Sequence, residues 1–414
     1  MPATPHAPAR PRPVAMVTHS YYEEDPRVRR EAESLVAAGI PVDVFALRRP
    51  GDGPHGTLEG VSIRRLNVQR HQGAGIVTYL VEYLDFLLRA AIALVSTHPR
   101  RRYRVVHVHT LPDYLVFAAL PLKLAGVPVI LDLHEAMPEF FRMRFGARLP
   151  GTQAPATATL TARIAHALLL AQERASIAVA DAVLTVNDAL ADRLVGLGVP
   201  RDKVTVLLNT PSLERFDPAR HPVRAFAEDG IVRLVYAGAI TPTYELDVAL
   251  RAVGRLRTEG RPVELDLYGR GDSREPLEAL AGELGIEPSV RFHGRVPIES
   301  IPAAVAAADI GLAPTRRSEF TDFSLSTKIF EYAAMGKPVV ASDLPTVERY
   351  FPDGALRTYE PGDDASLAAA IATLIDDPAA RASHVERTAM RAAELTWARQ
   401  FERYLAVLNR LATG

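Results

Sequence analysis

The sequence predicts an α/β protein built as two parallel-sheet domains, and three observations carry that expectation. The chain has 414 residues, more than one hydrophobic core usually supports, so two domains of roughly 200 residues are expected. Short apolar runs alternate with amphipathic helical stretches through both halves, which is the rhythm of βαβ units. Residues 212–230 break that rhythm with Pro218 and Pro222 and no periodicity, which places the domain boundary there.

Composition narrows the function classes. With 48 basic against 49 acidic residues there is no general basic face for nucleic acid. The absence of cysteine excludes a disulfide framework and any thiolate metal or nucleophile site. The start of the chain, MPATPHAPARPRP, has no long apolar segment and reads as a disordered lead-in over residues 1–12 rather than a signal peptide. No run is long enough to span a bilayer, so the expectation is a cytoplasmic protein.

Residues 14–18 (VAMVT) form the first strand candidate, followed by His19, Ser20, Tyr21 and Tyr22. A helix follows over DPRVRREAESLVAAG, with Pro26 in its first turn and Gly39 as its stop. Residues 42–46 complete a βαβ unit, and ligands of open parallel sheets bind beyond the carboxyl ends of the strands. His19, Tyr21, Tyr22 and Arg27 are therefore pocket candidates.

Residues 50–60 read as a Gly/Pro-rich turn and 61–66 as a strand. Residues 76–95 read as a long apolar helix carrying Glu82, Asp85 and Arg89. A core helix with a solvated stripe explains this stretch, which is also the best place for peripheral contact with a lipid surface. Strands are expected over 105–108, ending at His109, and over 129–133, ending at His134-Glu135, with a helix over 116–125 between them. An imidazole at a strand end can donate to a sugar hydroxyl or stabilise developing charge. No second close ligand pair near His134 is visible, so no metal site is expected. The segment from Met137 to Pro155 mixes aromatics with arginines. Phe140, Phe141, Arg142, Arg144 and Phe145 could hold an apolar or anionic acceptor, a membrane surface, or simple packing.

The second half repeats the architecture without repeating the sequence. Strands are expected over 231–237, 263–268, 290–293 and 310–313, with a helix over 244–256 and turns at Gly238 and at Gly269-Arg270-Gly271. One helix is expected over 389–408, anchored by Trp397 and Phe401. The most informative stretch is SLSTKIFEYAAMGKPVVASD, residues 324–343. Ser324, Ser326 and Thr327 are N-cap residue types, and Gly336 and Pro338 stop the helix before a buried strand. Lys328 and Glu331, three residues apart, share nearly one face. Free amides at a helix start and a nearby ammonium suit a phosphate, and a carboxylate one turn on can accept from sugar hydroxyls.

With these segments in place the chain resembles the large retaining glycosyltransferase family 4. Its fold is GT-B, two Rossmann-like parallel-sheet domains facing across a nucleotide-sugar cleft. The resemblance covers nearly everything beyond the first dozen residues. It is strongest in STKIFEYAAMGKPVVASD and is supported by DPRVRREAESLVAAG, LDLHEAMPE, TVNDALADRL and VLLNTPSLERF. The order strand–YGRGD–helix–VRFHGRV–AAADIGLAP adds to it.

The resemblance implies an acceptor-binding domain over 13–212 and a nucleotide-sugar-binding domain over 213–390, with a last helix over 391–414 packing back on the first domain. It also implies transfer of a hexosyl-type residue from a nucleoside-diphosphate sugar to an acceptor hydroxyl, with retention at the anomeric carbon. Glu331 would hold the ribose, while Lys328 and the backbone at Ser326-Thr327 would bind the diphosphate. His134 would sit near the donor sugar, and Gly238, Gly269, Arg270 and Gly271 would shape the nucleotide side. His134, Lys328 and Glu331 are thus the catalytic candidates. On the acceptor side stand His19, Tyr21, Tyr22, Arg27, His109, Glu135, Phe140, Arg142 and Arg144. No cofactor is expected to be permanently bound, and a divalent metal is left open.

Two positions depart from the family pattern. Phe323 stands where many members have an earlier glutamate, and Ala239 where an arginine is usual, with no lysine following. Neutralisation of phosphate would fall to Lys328, to Arg270, Arg316 or Arg317, to helix amides, or to a metal. An epimerase of the same shape and a non-catalytic nucleotide-binding scaffold remain the alternatives.

Overall fold

The computed structural model describes residues 11–68, 76–146, 156–210, 215–222 and 224–413. The expected lead-in thus lies almost wholly outside the described residues, as do residues 211–214 of the VLLNTPSLERF motif. The chain divides into two compact units, residues 1–208 with 400–414, and residues 209–399.

The first unit starts with β1 (Val14–Val17), every residue of it buried. Asp25 then caps α1 (Pro26–Ala37) by accepting from the amides of Arg27 and Val28. Proline at N1 is pre-set for a helix, and Gly39 at φ +80° ends it in a conformation that costs other residues energy. There follow β2 (Val42–Leu47), β3 (His55–Leu58), β4 (Val61–Leu66), α2 (Ile76–Arg101) and β5 (Val105–His109). Next come α3 (Leu120–Leu124), β6 (Val129–Leu133), α4 (Met137–Gly146), α5 (Ala156–Val179), β7 (Ala182–Thr185), α6 (Asp188–Gly196) and β8 (Val204–Val206). The sheet order is β3-β4-β2-β1-β5-β6-β7-β8, parallel except for β3 against β4. β1 lies between β2 and β5, with Val14 opposite both Val42 and Val105. The order of strands reverses there, so the tips of β1 and β5 form the topological switch point at which such sheets bind ligands.

The second unit contains β9 (Val232–Ala237), α7 (Leu246–Thr258), β10 (Val263–Tyr268), α8 (Arg274–Glu283), β11 (Val290–Gly294), α9 (Ile301–Ala307) and β12 (Ile310–Ala313). It continues through α10 (Thr327–Ala334), β13 (Val339–Ser342), α11 (Pro345–Tyr350), β14 (Arg357–Tyr359), α12 (Asp364–Asp376) and α13 (Pro378–Glu394). Its order, β11-β10-β9-β12-β13-β14, is wholly parallel and reverses between β9 and β12. The core gathers Leu234, Tyr236, Leu250, Leu265, Leu267, Ile310, Val340 and Ile371 between sheet and helices. Each such side chain contributes about 1.5–3 kcal/mol of burial. The last helix, α14 (Trp397–Thr413), belongs from residue 400 to the first unit. There the Tyr404 hydroxyl lies 2.7 Å from His107 Nδ1, and Gln400 Oε1 accepts the Leu208 amide.

Several sequence expectations are corrected. The turn expected over 50–60 contains β3, which pairs antiparallel with β4. The helix expected over 116–125 is a 3-10 segment, Asp113–Ala119, followed by α3, with Pro112 before one piece and Pro121 inside the start of the other. The helix expected over 389–408 is two helices, because α13 closes at Leu395. The expected core helix α2 runs on to Arg101; the Asp85 and Arg89 side chains reach solvent on it, but Glu82 is buried and the outward side also carries an apolar stripe.

Candidate functional site

In the second unit the site grows from the tips of β9 and β10 and the start of α10. Gly238, directly after β9, donates its amide to Tyr268 O, and Ile240 donates to Arg270 O, which zips the β9 and β10 loops together. The approach is so close that a Cβ on Gly269 would lie 1.7 Å from Gly238 O, and one on Gly271 1.9 Å from Ile240 O. Gly269 also sits at φ +140°. Both positions therefore require glycine.

Lys328, in the first turn of α10, is mostly buried against this floor. Its ammonium lies 4.9 Å from the centre of the Tyr236 ring and 4.5 Å from that of Tyr244. Two aromatic faces thus hold the cation in place. A Cβ on Gly238 would fall 2.6 Å from Lys328 Cε, so the glycine is also what leaves room for the lysine. Ser326 is the N-cap of α10, but its side chain makes no capping bond; its carbonyl accepts the Ile329 amide, which leaves the Thr327 and Lys328 amides to another acceptor. Glu331 follows one turn on. Burial raises its pKa, with Lys328 and then Arg215 pulling it back.

Ammonium, helix amides and carboxylate form a set that can take an anion beside hydroxyl groups. Arg316 and Arg317 are already engaged: Arg316 bonds Pro242 O and Asp247, and Arg317 lies 3.6 Å from Asp322. Arg270 is exposed, and Phe323 lies in a 3-10 turn before α10.

In the first unit the tips of β5 and β6 bring together four groups of a buried network. Asp132 Oδ2 lies 2.9 Å from His134 Nε2, 3.1 Å from His109 Nδ1 and 3.8 Å from His107 Nε2. The His109 and His134 rings are parallel to within 7°. Burial opposes ionisation of Asp132, but His134 and His109 outweigh it and hold the carboxyl well below its ordinary range. Burial, and then Arg27, lower His134, so its imidazole is neutral at physiological pH and can donate at one nitrogen and accept at the other. Burial would also lower His109, yet its bond to Asp132 raises it. Glu31, from α1, closes the network 3.7 Å from His107, with its pKa raised by burial and then by Asp132.

Sequence inspection missed this group, which places possible ligand atoms of Glu31, His107, His109 and Asp132 within 4.8 Å of one another. Neither His134 nor Glu135 belongs to that set. Two signals were available: an aspartate inside the apolar strand VILDL, and histidines two apart in VVHVH, on one face of a strand. Tyr236 and Tyr244 beneath Lys328 were likewise not anticipated.

The other acceptor-side candidates separate. Arg27 and Glu135 interact electrostatically with each other, and Arg27 also with His134. His19 is buried, 3.3 Å from Glu82 and edge-on to Tyr83 and Phe86. Tyr22 is fully buried, because the 3-10 turn Tyr22–Glu24 points it into the core; it packs there and does not line the loop surface. Tyr21 and Phe140 are half-buried and Arg142 is exposed. The side chain of Arg144 lies outside the described residues.

Two Rossmann-like units, the second with glycine-floored strand tips, have the architecture of the GT-B glycosyltransferases, and comparison with known proteins bears this out. The family model of glycosyl transferases group 1 matches residues 232–377, and that of the glycosyl transferase 4-like domain matches residues 25–210. The chain belongs to this glycosyltransferase family 4 and is a glycosyltransferase. It is 26% identical to the alpha-D-kanosaminyltransferase of Streptomyces kanamyceticus over 89% of this chain and 93% of that one. It is 29% identical to D-inositol 3-phosphate glycosyltransferase 1 of Catenulispora acidiphila, over 75% and 73% respectively. Among solved structures, the sucrose-phosphate synthase of Thermosynechococcus elongatus superposes with a TM-score of 0.73 at 19% identity, covering 97% of this chain and 99% of that one. Anabaena Alr3699/HepE in complex with UDP-glucose gives 0.69 at 14%, covering 96% and 100%. At these identities the structures speak to the fold alone.

Proposed function

We propose that the protein transfers a sugar from a nucleoside-diphosphate sugar to an acceptor hydroxyl with retention of the anomeric configuration. The observation that carries the reading is the placement of Lys328 over two tyrosine rings, beside the uncapped start of α10 and one turn from Glu331. A fixed ammonium with free amides suits a diphosphate, and a carboxylate at that spacing suits ribose hydroxyls. The bond from the anomeric carbon to the diphosphate oxygen breaks as the bond to the acceptor oxygen forms on the same face. The acceptor proton passes to the departing diphosphate. Lys328 and the helix amides stabilise the charge that collects there, work that preorganised dipoles and cations do well.

In the first unit His134, neutral and fixed by Asp132, hydrogen-bonds a sugar hydroxyl, and Arg27 and Glu135 recognise the acceptor. The name of one relative, D-inositol 3-phosphate glycosyltransferase 1, supports a hydroxylated acceptor. No permanently bound cofactor is needed for this chemistry.

A scaffold reading draws on Ala239 and on the engagement of Arg316 and Arg317 by carboxylates, which leave Lys328 with most of the phosphate recognition. Calorimetric titration with UDP, GDP and TDP separates the two. Binding of one nucleotide, followed by acceptor-dependent turnover of its sugar conjugate with an axial-to-axial or equatorial-to-equatorial outcome by proton NMR, is expected. No binding at millimolar nucleotide would overturn the transferase reading in favour of the scaffold, and an inverted product would overturn retention.

A further inference from the structure

The helix α2 is apolar on both sides, and only one side is covered among the described residues. Phe86, Ala90 and Leu94 are fully buried against the sheet of the first unit. On the outer side Leu84 is 51% exposed, Leu88 59% and Ile92 69%, and Val81 and Val95 continue the stripe. The spacing of three and four residues aligns them along most of the helix. Neighbouring elements extend the patch. Leu124 of α3, which packs on α2, is 81% exposed, and Ile164 and Leu168 of α5 are exposed beyond the 3-10 segment Asp113–Ala119 that both α2 and α5 touch. An exposed apolar stripe that runs along most of α2, with Leu124 of the adjoining α3 beside it, marks a contact site and not ordinary scatter.

The charges around the patch decide what contacts it. Asp85 is bonded to Arg89 at 2.7 Å and Asp181 to Lys123 at 2.6 Å, so each of these carboxylates is neutralised by a neighbour. Arg100, Arg163 and Arg174 are exposed on α2 and α5 and have no ion pair among the described residues. The rim is therefore left with surplus positive charge. A second copy docking patch to patch would present the same surplus cations and, among the described residues of α2, α3 and α5, no spare carboxylates to meet them. An anionic bilayer surface supplies both the apolar interior and the countercharge. No helix among the described residues is long and apolar enough to cross a membrane, so the mode is lying on the surface.

We propose that the outer face of α2, with Leu124 of α3 and the exposed face of α5, docks the protein on an anionic lipid surface. The proposal concerns a surface outside the transfer machinery and stands or falls independently of donor binding. The test is co-sedimentation of the purified full chain with phosphatidylcholine vesicles containing roughly one-third phosphatidylglycerol, at about 0.1 M salt, where charges are screened beyond about 10 Å. Binding is expected there, several-fold weaker on pure phosphatidylcholine and at about 0.5 M salt. Leu84→Glu with Ile92→Glu should lower it at least tenfold while leaving the melting temperature and nucleotide affinity unchanged. Leu88→Trp offers a readout that needs no charge insertion, since its fluorescence should be quenched by brominated lipid. Absence of vesicle binding would overturn the proposal, as would full binding by the double variant or no quenching at position 88. A dimer in light scattering that the double variant dissolves, with no vesicle binding, would reassign the patch to an interface between copies.

Discussion

Substituting Gly238 by alanine tests the proposed role of the Lys328 ammonium at the phosphates more cleanly than removing the lysine. The added Cβ would fall 2.6 Å from Lys328 Cε and 2.9 Å from both Lys328 Nζ and Tyr236 Oη. The tyrosine hydroxyl is pinned by a 2.6 Å bond to Ala239 O, so the lysine end is what yields. Moving the ammonium off the Tyr236 and Tyr244 faces forfeits about 1–2 kcal/mol of cation–π attraction. The second unit should melt roughly 2–8 °C lower, at about 2–4 °C per kcal/mol for a domain of this size. Affinity should fall further than stability, because a charge-assisted contact worth about 1.5–3 kcal/mol is lost, roughly ten- to 150-fold in Kd. The assay is calorimetric titration of the best-binding nucleoside diphosphate, beside a thermal melt. Lys328→Met removes the same ammonium without the added methyl, so the two losses should coincide, and the double variant should be no worse than either. If Gly238→Ala bound nucleotide like the wild type while folded, or if the two losses multiplied, the assignment of Lys328 to the phosphates would fail.

Gly269→Ala should behave differently, because its Cβ meets backbone at 1.7 Å and φ is +140°; a destabilisation above about 3 kcal/mol is expected in urea unfolding, and a change below about 1 kcal/mol would refute the close approach. Glu331→Gln should weaken ribonucleotides about tenfold and 2′- or 3′-deoxy analogues less, since the lost bond is to a ribose hydroxyl; equal losses for both would remove Glu331 from the ribose. The pH dependence of the first unit should report on Glu31, whose pKa is raised by burial and then by Asp132. Above the usual carboxylate range the unfolded chain releases a proton that the folded chain keeps, so this group's contribution falls as pH rises towards the raised folded value. Glu31→Gln removes that penalty, and its stability relative to wild type should grow between about pH 5 and pH 8, by at most about 1.4 kcal/mol per unit; a difference independent of pH would refute the buried neutral carboxyl.

Much of the architecture was legible in the chain because it depends on near neighbours. Apolar runs of four to six residues such as VAMV, VILDL and IGLA can only be buried strands when helices alternate with them. Asp25-Pro26 and Gly39 mark a helix start and stop by the geometry of a few consecutive residues. The same local logic put Lys328 and Glu331 on one helix face, and the motifs carried the family. Where local signals conflict the reading went astray. Two prolines around 112–121 turned one helix into a 3-10 segment and a short α-helix, and a strand hid in a turn rich in glycine and proline.

Only the tertiary structure decided which side chains meet. Asp132 serves three histidines because β5 and β6 lie side by side in register, and Glu31 reaches them from a helix about a hundred residues earlier. Lys328 rests on Tyr236 and Tyr244 because the tips of β9 and β12 meet where the sheet order reverses. Which face of α2 is covered and which is bare depends on what the sheet and α3 bury, and no periodicity within the helix can tell those faces apart when both are apolar. Sequence determined the elements, their order and the family, through short-range sterics and hydrophobic period. Packing across long separations determined the protonation network, the seat of the ammonium and the exposed apolar surface.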